Sequence, residues 1–146
     1  VYNRAGVLES RVRLPDVLLN PQHAALTASG SFVISYGDKY TDQHGVCLVS
    51  SEGGIIMSYG QQRGSGPCQV TCPWHIALDA EGRVLLCDSS NNRVLLLDSK
   101  LNFQRVLLDL SSVGEDCWPQ RFWFDRRAAT LSIGLYSGLV VIYKLN

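Results

Sequence analysis

Short apolar runs separated by turn residues dominate the middle of the chain. Four such runs alternate with three polar connections between Pro73 and Leu110. The runs are His75–Asp79, Arg83–Cys87, Arg93–Asp98 and Phe103–Leu108. Short runs rich in Val, Leu and Ile, bounded by Gly, Asn, Asp and Ser, are typical of β-strands joined by tight turns. No run is long enough, or suitably capped, for a helix.

The same pattern recurs more weakly on both sides of this unit. A proline precedes the first run of each copy, at Pro21, Pro73 and Pro119. The copies are therefore offset by 52 and 46 residues (73 − 21 and 119 − 73). The longer loop Gly37–Gly45 accounts for the larger first offset. Repeats of this length, each holding four short strands, predict the blades of a β-propeller.

The repeat divides the chain into one all-β segment, 1–146, with three blades. We assign residues 1–14 to closing strands, 15–60 to blade 1, 61–110 to blade 2 and 111–146 to blade 3. Each blade should have four strands, except that blade 3 lacks its outer strand, whereas Val7–Leu14 (VLESRVRL) is an extra outer strand. Three blades are too few to close a ring, because propellers contain about four to eight. The chain is thus expected to form half of a six-bladed ring that missing sequence or a second copy completes.

Blade 2 also resembles a known repeat family. Its pattern of a proline, D-x-x-G-R-V and D-S-x-N-N-R-V is similar to the NHL repeat. The matching residues are Pro73, Ile76, Ala77, Asp79, Gly82, Arg83, Val84, Asp88, Ser89, Asn91, Asn92, Arg93 and Val94. The chain resembles the C-terminal propeller half of TRIM-NHL proteins. This resemblance implies a module that recognises a substrate protein or RNA, with ubiquitin-ligase chemistry in a separate RING domain.

Five residues of this motif are interpreted as structural. Asp and Asn side chains bind their own backbone in turns, and an arginine fork suits a carboxylate or free carbonyls between blades. We therefore expect these residues to hold the blade together. They are Asp79, Gly82, Asp88, Asn92 and Arg93.

A candidate binding site comes from equivalent positions of the three copies. The third residue of each copy, counted from the proline, is His23, His75 or Arg121. By the resemblance, these residues lie at the rim of the central channel. There they would hold an RNA base or an acidic group of a peptide, with Trp74, Phe122 or Tyr136 stacking.

Two other interpretations of the same positions stay open. The first is a solvated channel rim with incidental polar residues. The second is a lyase or lactonase site with a channel metal held by histidines and carboxylates, but Arg121 would repel a cation. No nucleophile elbow or phosphate-binding loop occurs, so no catalytic residue, metal or cofactor is predicted.

Net charge, hydrophobicity and cysteine content limit the classes of partner that the chain is expected to bind. The formal net charge is zero, which argues against strong non-specific binding to polyanions. No apolar run is long enough for a transmembrane helix, so no membrane partner is expected. The five cysteines are odd in number and irregularly spaced, which favours buried free thiols and a reducing, cytoplasmic location. The predicted partners are a protein or peptide, single-stranded RNA, or a second copy that completes the ring.

Overall fold

Three antiparallel sheets make up the computed structural model, which describes residues 10–114, 117–125, 127–128 and 130–144. Blade 1 contains β1 (Pro21–Leu26), β2 (Phe32–Tyr36), β3 (Gly45–Val49) and β4 (Ile55–Gly60). Blade 2 contains β5 (Pro73–Leu78), β6 (Val84–Asp88), β7 (Arg93–Leu97) and β8 (Phe103–Asp109). Blade 3 contains β9 (Pro119–Asp125), β10 (Thr130–Leu135) and β11 (Val140–Lys144). Short 3₁₀ helices, Ser89–Asn91 and Ser111–Val113, lie after β6 and β8.

The predicted all-β architecture is confirmed. Each blade is a meander whose strands pair in chain order, and blade 3 has three strands where the others have four. The strand limits of blade 2 differ from the predicted runs by at most two residues, and each inner strand begins at the proline itself. Of the predicted closing strands, residues 1–9 lie outside the described residues, and residues 10–14 lie in no strand.

Apolar side chains pack between neighbouring blades. Each blade has a leading face, directed at the next blade along the chain, and a trailing face, directed at the previous one. The leading face of blade 1 packs on the trailing face of blade 2 through Val33, Val46, Ile76 and Leu86. Blade 2 packs on blade 3 in the same way through Leu85, Val94, Phe122 and Ile133. All eight are buried, so the blades are held together by the hydrophobic effect.

A buried ion pair joins blade 2 to the connector that precedes it. The Asp88 side chain is fully buried, and its Oδ2 lies 2.6 Å from Arg93 Nε. Asp88 also accepts a hydrogen bond from the Thr71 backbone N–H, while the Arg93 guanidinium donates to the carbonyls of Ser65 and Gln69. Burial raises the pKa of Asp88, and its hydrogen bonds, with the charge of Arg93, oppose that rise.

The other three motif residues lie in or beside turns. Asp79 Oδ1 accepts the Arg83 backbone N–H, and Asp79 Oδ2 pairs with the Arg83 side chain at 2.6 Å. Gly82 supplies the positive φ of this turn. Asn92 has a left-handed backbone, and its Oδ1 accepts the Trp118 N–H at 2.9 Å. Asn92 therefore connects blade 2 to the start of blade 3.

A buried histidine fixes the long loop of blade 1. His44 is fully buried, and its Nδ1 accepts the Cys72 N–H at 3.0 Å. Its Nε2 lies 2.8 Å from the Asp38 carbonyl and 2.7 Å from the Thr41 carbonyl. Because carbonyls only accept, Nε2 carries the proton. His44 thus ties the loop to the connector that enters blade 2.

The five cysteines are all free thiols. Cys47, Cys72, Cys87 and Cys117 are buried and Cys68 is exposed. Burial raises the pKa of the Cys87 thiol well above its usual range. Among the described residues, no helix is long and apolar enough to cross a membrane.

Candidate functional site: an aromatic recess

A recess of about 570 Å³ opens where the inner strands of all three blades begin. Its aromatic lining comes from Tyr40, Trp74, Trp118 and Tyr136. Its lining also includes side-chain amides and charged groups, those of Gln22, Gln120, Asp38, Lys39 and Arg63. Aromatic walls with a few convergent polar groups are the usual composition of a binding site.

A strand irregularity directs one side chain from each blade into this recess. In blades 1 and 2 the register shifts between the proline and the third residue, and in blade 3 it shifts opposite the equivalent positions. The second residue of each copy is left out of the pairing. These residues are Gln22, Trp74 and Gln120, and all three line the recess. Bulges re-aim side chains in this way.

The aromatic wall is solvent-accessible and fixed at its base. The rings of Trp118 and Tyr136 have centroids 5.2 Å apart. The Tyr136 N–H donates to the Trp118 carbonyl at 3.2 Å, which fixes the two residues relative to each other. Tyr136 is 64% and Tyr40 is 80% exposed. Lys39 Nζ lies 4.9 Å from the centroid of the Tyr40 ring. Large rings held open to solvent are available to stack on a ligand.

The predicted rim residues lie together, but they do not line the recess. The rings of His23 and His75 have centroids 4.1 Å apart, and His75 meets the edge of buried Phe122 at 4.8 Å. The Nδ1 atoms of both histidines are buried without a hydrogen-bond partner. Arg121 is exposed, and its charge acts on both imidazoles.

Burial keeps the two imidazoles neutral near pH 7. It lowers the pKa of His75 to about 4, with the charges of His23 and Arg121 acting in the same direction. Burial and the Arg121 charge also lower the pKa of His23. Neutral imidazoles cannot provide the positive charge that attracts an acidic group, so Arg121 supplies the positive charge of this trio at neutral pH.

The site predicted from sequence therefore divides into two groups. Trp74 and Tyr136 belong to the recess, whereas His23 and His75 form a separate ring stack, and the charge of the exposed Arg121 acts on it. Sequence reasoning missed Gln22, Gln120, Tyr40 and Trp118 as lining residues. For Gln22 and Gln120 the available signal was the position after each proline, one residue before the position chosen.

Solved structures with the same arrangement of sheets identify the architecture. A protein of unknown function from Bacteroides caccae matches 98% of this chain with a TM-score of 0.62 and 14% identity. Virginiamycin B lyase from Staphylococcus aureus matches 98% with a TM-score of 0.57 and 12% identity, and a streptogramin B lyase matches 99% with 0.53 and 16%. The fold is an open, partial β-propeller.

The chain spans about half of each solved propeller, since it covers 48%, 47% and 46% of their lengths. Identities this low show the fold and no shared activity. In sequence, a stretch of 50 residues is 44% identical to Protein lin-41 of Caenorhabditis elegans. That stretch is 34% of this chain and 4% of lin-41. No family model matches the sequence.

The part of the propeller that the structure describes contains no group of three or more His, Cys, Asp or Glu side chains placed to hold a metal ion. His23 and His75 have Arg121 as their charged neighbour. The predicted alternative of a channel metal therefore gains no support from the described residues.

We expect His75→Phe to reduce the pH dependence of propeller stability. The pKa of His75 is about 4 in the folded protein, below the ordinary value of 6.5. As pH falls through this interval, the unfolded chain takes up a proton that the folded chain does not, so folding becomes less favourable. Phenylalanine cannot titrate and keeps the edge contact with Phe122.

Urea unfolding midpoints across this pH interval test the expectation. The urea midpoint of the wild type should fall more steeply with decreasing pH than that of His75→Phe. The carboxylates titrate in both proteins, so the difference between the two slopes reports His75. Equal slopes for the two proteins would show that His75 does not contribute to the pH dependence.

Proposed function

We propose that this chain is a non-catalytic recognition module that binds a segment of a partner protein in the aromatic recess. The observation that carries the proposal is the open wall formed by Trp118, Tyr136 and Tyr40. Tyr and Trp provide large, rigid contact areas at protein interfaces and are enriched there. In the stack of His23 and His75, by contrast, the Nδ1 atoms of both rings are buried.

The polar groups of the recess suit a peptide. Gln22 and Gln120 each offer an amide donor and acceptor, which can pair with an extended peptide backbone. The charges are mixed, since Asp38 lies with Lys39 and Arg63. The whole chain has no net charge, so the electrostatic attraction that dominates nucleic-acid binding is weak.

Single-stranded RNA is a second candidate, supported by one observation. The tilted pair of Trp118 and Tyr136 offers ring faces on which bases could stack, and the cationic side chains of Lys39 and Arg63 line the same recess. The same groups could bind a peptide or single-stranded RNA, so the salt dependence of the affinity is needed to distinguish the two ligands.

The similarity to lin-41 supports a more specific role. An NHL-type propeller of this kind would serve as the substrate-recognition part of a TRIM-type ubiquitin ligase whose catalytic domain lies in another part of the protein. The five free thiols, with Cys68 exposed, are compatible with the reducing conditions of the cytoplasm. The solved lyases share the fold alone and do not favour an enzymatic role.

The double variant Tyr40→Ala/Tyr136→Ala should abolish capture of peptides selected by the wild-type protein from a random displayed library. Truncating aromatic hot-spot residues costs about 2 kcal/mol or more each, which corresponds to a loss of at least about thirtyfold in affinity for each residue. Both side chains are mostly exposed, so stability should change little. Fluorescence anisotropy with a labelled selected peptide measures the change.

Phe103→Ala is the matched control, because Phe103 is an exposed ring on β8 that does not line the recess. It should bind the peptide like the wild type. Anisotropy with a labelled single-stranded oligouridine, repeated at increasing salt, tests the second candidate. RNA binding that weakens steeply with salt and requires the two tyrosines would favour it. Binding of neither probe would overturn both proposals.

A further inference from the structure

A second cavity, of about 310 Å³, lies at the junction of blades 1 and 2. The outer strand of blade 1 contributes Tyr59, and blade 2 contributes Arg93, Leu95 and Phe103. Residues 65–68 of the connector between the two blades also line it. The cavity is thus bordered by two four-stranded blades and their connector, and it shares no lining residue with the aromatic recess.

The connector presents the thiol of Cys68 at this cavity. Cys68 is exposed, whereas the other four cysteines are buried. Its backbone φ is +54°, a conformation that favours glycine over cysteine, so the turn itself does not explain why a cysteine stands here. Arg93 donates to the carbonyls of Ser65 and Gln69, on either side of Cys68, at 3.1 and 3.0 Å. These two hydrogen bonds hold the turn, and the cysteine within it, against blade 2.

A buried hydroxyl without a hydrogen-bond partner indicates that this cavity takes a ligand. Tyr59 is 8% exposed and lines the cavity. Its hydroxyl interacts with Cys68, Arg93 and Asp88 through charge alone, with no hydrogen bond to a described residue, although buried hydroxyls normally have a partner. Burial raises the pKa of Tyr59, and ionised Cys68 acts in the same direction. The hydroxyl is therefore protonated near pH 7 and is a free donor beside the thiol.

The rest of the lining suits a small thiol that carries a carboxylate. Among the described residues that line the cavity, Arg93 is the charged one, and its partner Asp88 does not belong to the lining. Ser65 adds a second hydroxyl, and Leu95 and Phe103 form an apolar wall. Hydroxyl donors beside a positive charge match a carboxylate, which only accepts hydrogen bonds. The apolar wall matches the methylene groups of such a thiol.

We propose that Cys68 is a site of reversible S-thiolation by a low-molecular-weight disulfide whose thiol carries a carboxylate, as glutathione does. The Cys68 thiolate attacks one sulfur of the small disulfide and forms a mixed disulfide with it. The S–S bond of the small disulfide breaks, and the thiolate that leaves takes up the proton lost by Cys68. The protein thiol is oxidised as the small disulfide is reduced.

The added group occupies the cavity, where the Tyr59 hydroxyl donates to its carboxylate. An excess of free thiol reverses the exchange, since the same attack on the mixed disulfide releases Cys68. This site is separate from the aromatic recess, so the proposal does not rest on the proposed binding of a peptide.

Disulfide exchange on the folded chain tests the site. Wild-type protein incubated with excess glutathione disulfide should gain one glutathionyl group, which intact-mass spectrometry counts and peptide mapping locates at Cys68. Cys68→Ser should gain none, because the other four thiols are buried. A wild type without an adduct, or an adduct on another cysteine, would overturn the proposal.

A matched surface thiol separates the effect of the cavity from simple exposure. The variant Cys68→Ser/Ser137→Cys carries its exposed thiol in the turn between β10 and β11, where Ser137 is exposed and does not line the cavity. For each thiol, the exchange rate with glutathione disulfide is divided by the rate with cystamine, a disulfide that has amines and no carboxylates. The ratio should be about threefold to tenfold higher at Cys68, the factor expected for one added hydrogen bond.

Tyr59→Phe keeps the buried ring and removes only the hydroxyl, so it should lower the ratio at Cys68 by about the same factor. Circular dichroism should show the same strand content for every variant. Equal ratios at the two thiols would show that Cys68 reacts as an ordinary exposed cysteine and would overturn the proposed site. An unchanged ratio in Tyr59→Phe would overturn the assignment of the carboxylate to the Tyr59 hydroxyl.

Discussion

Replacing Arg93 with alanine is expected to lower the free energy of unfolding by about 3–5 kcal/mol. The partner, Asp88, is fully buried and would lose the Nε contact at 2.6 Å. An uncompensated buried charge is costly in a low-dielectric interior. The connector would also lose the two hydrogen bonds that Arg93 donates to the carbonyls of Ser65 and Gln69. The change should therefore loosen the junction between blades 1 and 2.

Arg83→Ala is the matched control for this experiment. Arg83 pairs with Asp79 at the same distance of 2.6 Å, but its own side chain is 45% exposed. Pairs open to water contribute about 0–1 kcal/mol. Urea unfolding followed by tryptophan fluorescence measures both variants. Similar losses for Arg83→Ala and Arg93→Ala would contradict the role assigned to burial.

Gly37→Ala should destabilise the protein by about 2–5 kcal/mol, which combines the cost of a left-handed backbone with that of overpacking. Gly37 has a φ of +95°. A Cβ there would meet the Gln43 carbonyl oxygen and would lie 2.7 Å from Cδ2 of His44. His44 would have to move, which would strain its hydrogen bond with the Cys72 N–H.

Gly30→Ala separates the two contributions. Its φ of +83° is similar, but no atom lies within 4 Å of the position of the added Cβ. It should lose about 1–2 kcal/mol from the backbone alone. Thermal unfolding of the two variants under the same conditions gives the comparison. If Gly30→Ala were as damaging as Gly37→Ala, contact with the His44 loop would not be the cause.

Local patterns were sufficient to predict most of the fold. Apolar runs and turn residues located the strands, and the spacing of Pro21, Pro73 and Pro119 located the blades. These features can be predicted because a short strand and its turn are determined by residues that are close together in the sequence.

The candidate site depended on contacts that sequence spacing does not encode. His44 lies in the long loop of blade 1, which does not align with the other copies of the repeat. Its side chain is nevertheless fully buried and accepts a hydrogen bond from the Cys72 N–H of the connector that enters blade 2. Tyr40 lies in the same irregular loop, and its position in the recess follows from how that loop folds back. Residues distant in sequence meet here because three blades converge.

The sequence by itself determined that this protein is a repeat of antiparallel blades, because strand periodicity, turn chemistry and repeat length are local properties. Only the tertiary structure decided which of the neighbouring residues in each inner strand face the recess. A bulge after each proline turns Gln22, Trp74 and Gln120 into the recess and leaves His23 and His75 stacked beside it. A shift of one residue exchanges the two faces of a strand, and the apolar pattern alone does not record that shift.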